Sequence, residues 1–341
     1  MGTYWAADRL SVPTTHYPQK MARVERISSA RMCGEGPHWD DTTQTLLSVD
    51  IPGQNVYKWD ERTRTETKIH VDLKDDPSNP HACQTSLVVP LAGRPDTYVI
   101  STGRALSVLR WAADQHFSVT DFTEVEADRP KNRFNDGKCD PNGNLWAGTM
   151  GFQSGEPGSM PPGQGALYHI SARGAPTALV NNVTCSNGLA FIAAGDRLFY
   201  IDTFAYTVDV LDCDLSAPRV DNRRTIYDVK KRGAQGFPDG MTIDTSGKLW
   251  VALYFGSKVV CIDPERGQVV EELHLPVSNP TSCTWGGPHH DALYVTSALH
   301  GLSAWQQDVQ PEAGCTFRVT GLGARGAPNV AWKAELPCLD Q

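Results

Sequence analysis

Six times along this 341-residue chain a polar residue stands about ten to fourteen positions ahead of a short apolar strand. The polar positions are Glu35, the Gln84-Thr85-Ser86 patch, Asn135, Asn187, Asp239 and Ser282. The strands begin near Leu46, Tyr98, Leu145, Leu198, Leu249 and Leu293. Successive strand starts lie 52, 47, 53, 51 and 44 residues apart. A period of this size marks an array of equivalent supersecondary units, and a radial array gathers its equivalent positions around one axis.

The unit can be read in the sequence itself. Asp140-Pro-Asn-Gly-Asn-Leu-Trp-Ala-Gly148 and Asp244-Thr-Ser-Gly-Lys-Leu-Trp-Val-Ala252 are a turn followed by a strand. Looser copies run from Asp40 to Asp50, Ala193 to Asp202 and Gly286 to Thr296, and the unit at Pro90 to Ile100 is the least regular. Each is followed by a run of alternating apolar and polar residues: Val56–Asp60, Leu106–Trp111, Ala166–Ile170, Val208–Asp212, Lys258–Asp263 and Thr316–Gly321. Alternation of period two places these as half-buried antiparallel strands. Six units in 341 residues leave about 57 residues each, enough for four strands and their loops. The expectation is an all-β, six-bladed β-propeller. A solenoid would show tighter repeats and capping units, which are absent here. Residues 1–20 are expected to form a tail outside the ring, with 21–341 a single domain. Closure is expected to join Met21–Ser28 to a strand near Asn329–Lys333. The segments Asp72–Cys83 and Gly151–Gly165, rich in polar residues and turn formers, interrupt the regularity.

A net charge of −8 argues against a nucleic-acid partner, which needs a basic stripe. Residues Met1–Lys20 have no apolar core of a signal sequence and no window reaches membrane-spanning length, so a cytoplasmic location is expected. The nine cysteines are scattered without CxxC spacing, as expected of reduced, mostly buried thiols. Gly321-Leu-Gly-Ala-Arg-Gly326 spells GxGxxG but no βαβ unit follows it, and no GxSxG elbow or zinc-spaced Cys/His cluster occurs.

In a propeller the innermost strand of each blade lines the axial channel. Glu35, Asn135, Asn187 and Asp239 would therefore converge from blades one, three, four and five. Any one of them reads as a turn residue beside glycine. Four oxygen donors at one point of the repeat are not required by turns. Two carboxylates and two amides suit Ca²⁺, Mg²⁺ or Mn²⁺ and tolerate Zn²⁺. Arg133, two residues before Asn135, falls near the same cavity, where an arginine binds substrate oxygens or offsets the carboxylates; the sequence alone equally allows a solvated surface arginine.

At these residues the chain resembles the family of regucalcin (senescence marker protein), gluconolactonase and insect luciferin-regenerating enzyme. The resemblance runs from about Cys33 to about Gly326. Its motifs are Gly-Glu-Gly-Pro-His-Trp, Asn-Arg-Phe-Asn-Asp-Gly-Lys, Gly-Asn-Leu-Trp-Ala-Gly-Thr-Met, Ser-Asn-Gly-Leu-Ala, Tyr-Ile-Asp-Thr, Pro-Asp-Gly-Met-Thr-Ile-Asp and Val-Thr-Gly-Leu-Gly. It implies a six-bladed propeller with one catalytic divalent metal on the axis. The implied ligands are Glu35, Asn187 and Asp239, and the implied substrate contacts are Arg133 and Asn135. In related propeller hydrolases the Asn135 position also reaches the metal. Gln153 aligns with a position where many animal regucalcins carry a substrate-contacting glutamate, so it joins the substrate set with hydrogen bonding but no charge.

The expected function is a metal-dependent lactonase that opens sugar lactones to aldonic acids, with Asp239 as general base and then acid. The expected partner is a small-molecule lactone, and the protein is expected to be a monomer. Two alternatives stand beside it. One is a luciferin-regenerating-type enzyme, or a broader hydrolase of nitriles or organophosphates. The other is a calcium-binding regulator without important catalysis; it would use the axial site, since no EF-hand loop is present.

Overall fold

The structure, a computed structural model, describes residues 22–72, 79, 84–152 and 160–339. The expected tail at 1–20, Gln153, most of Asp72–Cys83 and the middle of Gly151–Gly165 lie outside the described residues. Among the described residues twenty-four strands form six four-stranded antiparallel sheets, arranged as the six blades of a propeller. The inner strands are Gly34–Asp40, Val88–Pro90, Arg133–Cys139, Ser186–Phe191, Phe237–Ile243 and Pro280–Gly286. The strands read from the repeat are the second of each blade: Thr45–Asp50, Thr97–Thr102, Leu145–Met150, Arg197–Asp202, Leu249–Tyr254 and Ala292–Ser297.

The turn motif explains the repeat. Asp140 Oδ1 accepts from the backbone N–H of Asn142 at 2.8 Å and of Asn144 at 3.0 Å, while its Oδ2 accepts from Trp146 Nε1 at 2.9 Å. Asp244 does the same for Ser246 (2.8 Å), Lys248 (3.0 Å) and Trp250 Nε1 (3.0 Å). Gly143 and Gly247 take φ of 90° and 81°, which a side chain would oppose. One aspartate thus ties the turn and anchors the indole that fills the space between blades. Trp39, Trp146, Trp250 and Trp285, on first or second strands, are all fully buried.

Ring closure departs from the expectation. The N-terminal strand Arg23–Arg26 is the outer strand of blade six, and it pairs with Phe317–Thr320 through Val24 opposite Val319 and Arg26 opposite Phe317. The expected partner, Asn329–Lys333, runs elsewhere. Trp332 makes a parallel bridge to Leu91, with Trp332 N donating to Pro90 O at 2.9 Å and Ala92 N to Trp332 O at 2.8 Å. Its fully buried ring completes the apolar core of blades two and three. Residues 329–333 carry one large apolar side chain to bury, Trp332, and nothing in their sequence specifies which sheet edge receives it.

The described cysteines are all free, and Cys139, Cys185, Cys261, Cys283 and Cys315 are buried. Among the described residues no helix is long and apolar enough to cross a membrane.

Candidate metal and substrate site

Five of the six inner strands carry a β-bulge at the polar residue. In blade one Glu35 lies opposite Val49 but His38 opposite Leu47, so three steps on the inner strand match two on its partner. The same extra residue follows Phe134, Ser186, Pro238 and Pro280. A bulge re-aims its side chain out of the pleat, and here it does so once per blade at one end of the channel. Blade two lacks it, because its inner strand starts only at Val88. There Ser86 is tied down, its N–H donating to Ser101 Oγ at 2.7 Å and its hydroxyl to Phe134 O at 2.8 Å.

The channel is narrow at the donors. A Cβ on Gly240, next to Asp239, would lie 1.9 Å from Ser282 Oγ. Glycine after the donor therefore lets neighbouring inner strands close together, which fixes the spacing of the donors they carry.

Glu35, Asn135, Asn187, Asp239 and Arg133 all line one cavity of about 410 Å³ at this end of the axis. Gln84 also borders it, whereas Ser282 is absent from its lining. All five are buried. Glu35 Oε2 accepts from the Gly36 N–H at 3.0 Å. Burial, then the charges of Asp239 and Asp136, hold the Glu35 carboxyl well above the usual range. Burial, then Asp136, does the same to Asp239, opposed by a hydrogen bond from Asn187 and by the Arg133 charge.

The amides are oriented. Asn187 Nδ2 donates to Thr203 Oγ1 at 3.0 Å, and its Oδ1 is buried with no hydrogen-bond partner. Asn135 is engaged at both ends: Nδ2 donates to Ser186 O at 2.8 Å, and Oδ1 accepts from Arg133 Nη1 at 2.7 Å. Arg133 also donates to Phe134 O at 2.9 Å, while its Nε is buried without a partner.

This donor set fits a hard divalent cation. Two buried carboxylates repel each other, and an amide oxygen beside them has no donor; a cation satisfies all three. Among the described residues no group of three His, Cys, Asp or Glu converges.

The sequence reading missed most of the cavity wall. Cys33, Arg133, Cys185 and Phe237 stand two residues before Glu35, Asn135, Asn187 and Asp239, and all four line the cavity. The offset noticed at Arg133 holds in every donor-bearing blade of the site, and applying it throughout would have found the other three. The remaining wall comes from the ends of second strands and the segments after them, including Met150, Phe204, Tyr254 and Phe255, where no periodic signal points inward.

The fold and these axial oxygens define a six-bladed propeller with a cation-competent central site. The family model described as "SMP-30/Gluconolactonase/LRE-like region" matches residues 33–299, and the chain belongs to that family. Regucalcin of Xenopus laevis is 39% identical over 306 residues, covering 90% of this chain and 96% of that protein. Human regucalcin is 37% identical over 294 residues, covering 86% and 92%. A solved luciferin-regenerating enzyme superposes with a TM-score of 0.84 at 35% identity, covering 92% of this chain and 99% of that one. A gluconolactonase of Xanthomonas campestris shares the fold at a TM-score of 0.65 and 20% identity, covering 88% of this chain and 89% of that one.

Proposed function

We propose that this protein is a divalent-metal-dependent lactonase, with Glu35, Asn187 and Asp239 holding the cation. The observation that carries the reading is the orphaned Asn187 Oδ1 beside two buried carboxylates at the floor of a ligand-sized cavity. When bound, a divalent cation supplies a Lewis acid for the lactone carbonyl. Arg133, which lines the cavity, donates to a substrate oxygen. Asn135 holds the guanidinium in place through its Oδ1. Asp239 takes a proton from the attacking water as the water oxygen bonds to the carbonyl carbon. The ring C–O bond then breaks, and Asp239 returns the proton to the departing oxygen, leaving an open-chain hydroxy acid. Gln153 is retained as a proposed substrate contact on the family resemblance alone.

A second reading has support of its own: a solved relative, at 22% identity, is described as a calcium-binding protein, regucalcin. A hydrolysis panel of sugar lactones, aliphatic lactones, nitriles and phosphotriesters, run with Ca²⁺, Mg²⁺, Mn²⁺ and Zn²⁺ in turn, separates the readings. Lactone turnover supports the lactonase, and turnover confined to nitriles or phosphotriesters supports the broader hydrolase. Tight Ca²⁺ binding without turnover of any compound supports the regulator.

A further inference from the structure

The cavity is two-sided. The oxygen and guanidinium groups described above occupy its floor, and Phe204, Phe237, Tyr254, Phe255, Met150 and Met160 form much of the rest. The rings make one connected array. Phe237 meets Phe204 edge-on at 5.8 Å and Phe255 at 6.3 Å between centroids, and Phe255 meets Tyr254 at 4.7 Å. Tyr206 supports Phe237 from outside the lining at 5.0 Å. Such an array is held by its own contacts and offers faces and edges to another ring.

The polar groups on this side are few: Thr203, Tyr254 and the His300 imidazole. Thr203 Oγ1 accepts from Asn187 at 3.0 Å, and Tyr254 OH donates to the His300 carbonyl at 2.5 Å. A polyhydroxylated lactone seated here would turn several hydroxyls onto rings and thioethers and lose their hydrogen bonds to water, which is costly. An aryl group would instead exchange water contact for apolar and ring–ring contact.

We propose that the site takes a lactone bearing an aromatic ring, seated on Phe204, Phe237 and Phe255 with its carbonyl at the Glu35–Asp239 floor. The inference rests on the lactonase reading and narrows its substrate from sugar lactones to aryl lactones.

The test compares 3,4-dihydrocoumarin with D-glucono-1,5-lactone on the metal-loaded protein, in the wild type and in Phe255→Asn and Phe204→Ala. Phe255 has φ of 62°, a region that asparagine adopts readily, so the first variant is compatible with the fold. The wild type is expected to favour the aryl lactone about tenfold or more in kcat/KM. Each variant is expected to lose about tenfold on it, chiefly through KM, and to change turnover of the sugar lactone by less than it changes turnover of the aryl lactone. A parallel calorimetric titration with the lactam analogue 3,4-dihydroquinolin-2-one reads binding without turnover, and the same variants should weaken it. Preference for the sugar lactone with no effect of either substitution overturns the inference, as does failure of the lactam to bind. Ring-dependent lactam binding with no turnover of either lactone upholds the aryl pocket and overturns the lactonase reading instead.

Discussion

Asn187 donates from Nδ2 to Thr203 Oγ1 at 3.0 Å, and that bond fixes which end of the amide is left for the cavity. Thr203 opens the short 3₁₀ turn Thr203–Ala205 that directly follows the second strand of blade four. The inner strand supplies the proposed ligand and the loop beyond its neighbour orients it, as outer groups orient metal ligands.

Thr203→Val removes that acceptor with little change in shape. The cation affinity of the purified protein, measured by calorimetry with Mn²⁺, should fall about tenfold. Asn187→Ala, which removes the oxygen itself, should lower it further. An unchanged affinity in both variants would place the cation elsewhere.

Metal and pH should act on stability together. Burial raises the folded-state pKa of Glu35 above its ordinary 4.5 and of Asp239 above 3.8. The native metal-free protein therefore binds more protons at these groups than the unfolded chain does. Their contribution favours folding below the ordinary values and is lost as pH rises through the raised ones. Thermal unfolding of the chelated protein should show this downward slope. The Glu35→Gln/Asp239→Asn double variant should lack it, and a divalent cation should cancel it. At about 100 times its Kd the cation should add about 2.7 kcal/mol. Equal slopes for wild type and double variant without metal would contradict the shifts.

Gly240→Ala tests the narrowness of the channel. The new Cβ would meet Ser282 Oγ at 1.9 Å and Ser282 Cβ at 2.3 Å. The expected loss is about 1–3 kcal/mol, seen as a lowered Tm, and Ser282→Gly in the same chain should recover part of it. A Tm equal to the wild type would mean that the inner strands have room to move apart.

The closure seen here makes the strand Arg23–Arg26 testable by truncation. A chain starting at residue 22 keeps the strand Arg23–Arg26, and we propose that it retains the wild-type Tm. A chain starting at residue 28 loses the outer strand of blade six and exposes the edge of Phe317–Thr320. Its Tm should drop by many degrees. Similar unfolding of the two would show that the strand contributes little to closing the ring.

Much of this architecture was legible in the chain, for a physical reason. The Asp-to-Trp turn is a local hydrogen-bonded unit, so its residues recur at fixed spacing wherever it forms, as at Asp140–Trp146 and Asp244–Trp250. The donors Glu35, Asn135, Asn187 and Asp239 were legible because each stands at the same step of that unit. The partner of Arg23–Arg26 was not. Phe317–Thr320 and Asn329–Lys333 are both short runs with apolar side chains, and only the three-dimensional path sends Trp332 to Leu91. The bulges were equally hidden, since one extra residue changes register without changing composition. The aromatic wall escaped notice because Phe204 and Phe255 follow second strands, where the sequence has no period to mark the inward side.

The most direct test of the central claim is lactone hydrolysis by metal-stripped protein refilled with each divalent cation, wild type beside Asp239→Asn, the variant being assayed at cation concentrations shown by titration to fill its site. The wild type should be inactive when stripped and regain turnover on refilling, and the filled variant should stay at least about a hundredfold slower in kcat. Full activity in the stripped wild type, or wild-type kcat in the filled variant, would contradict the assignment of this axial site as the catalytic centre.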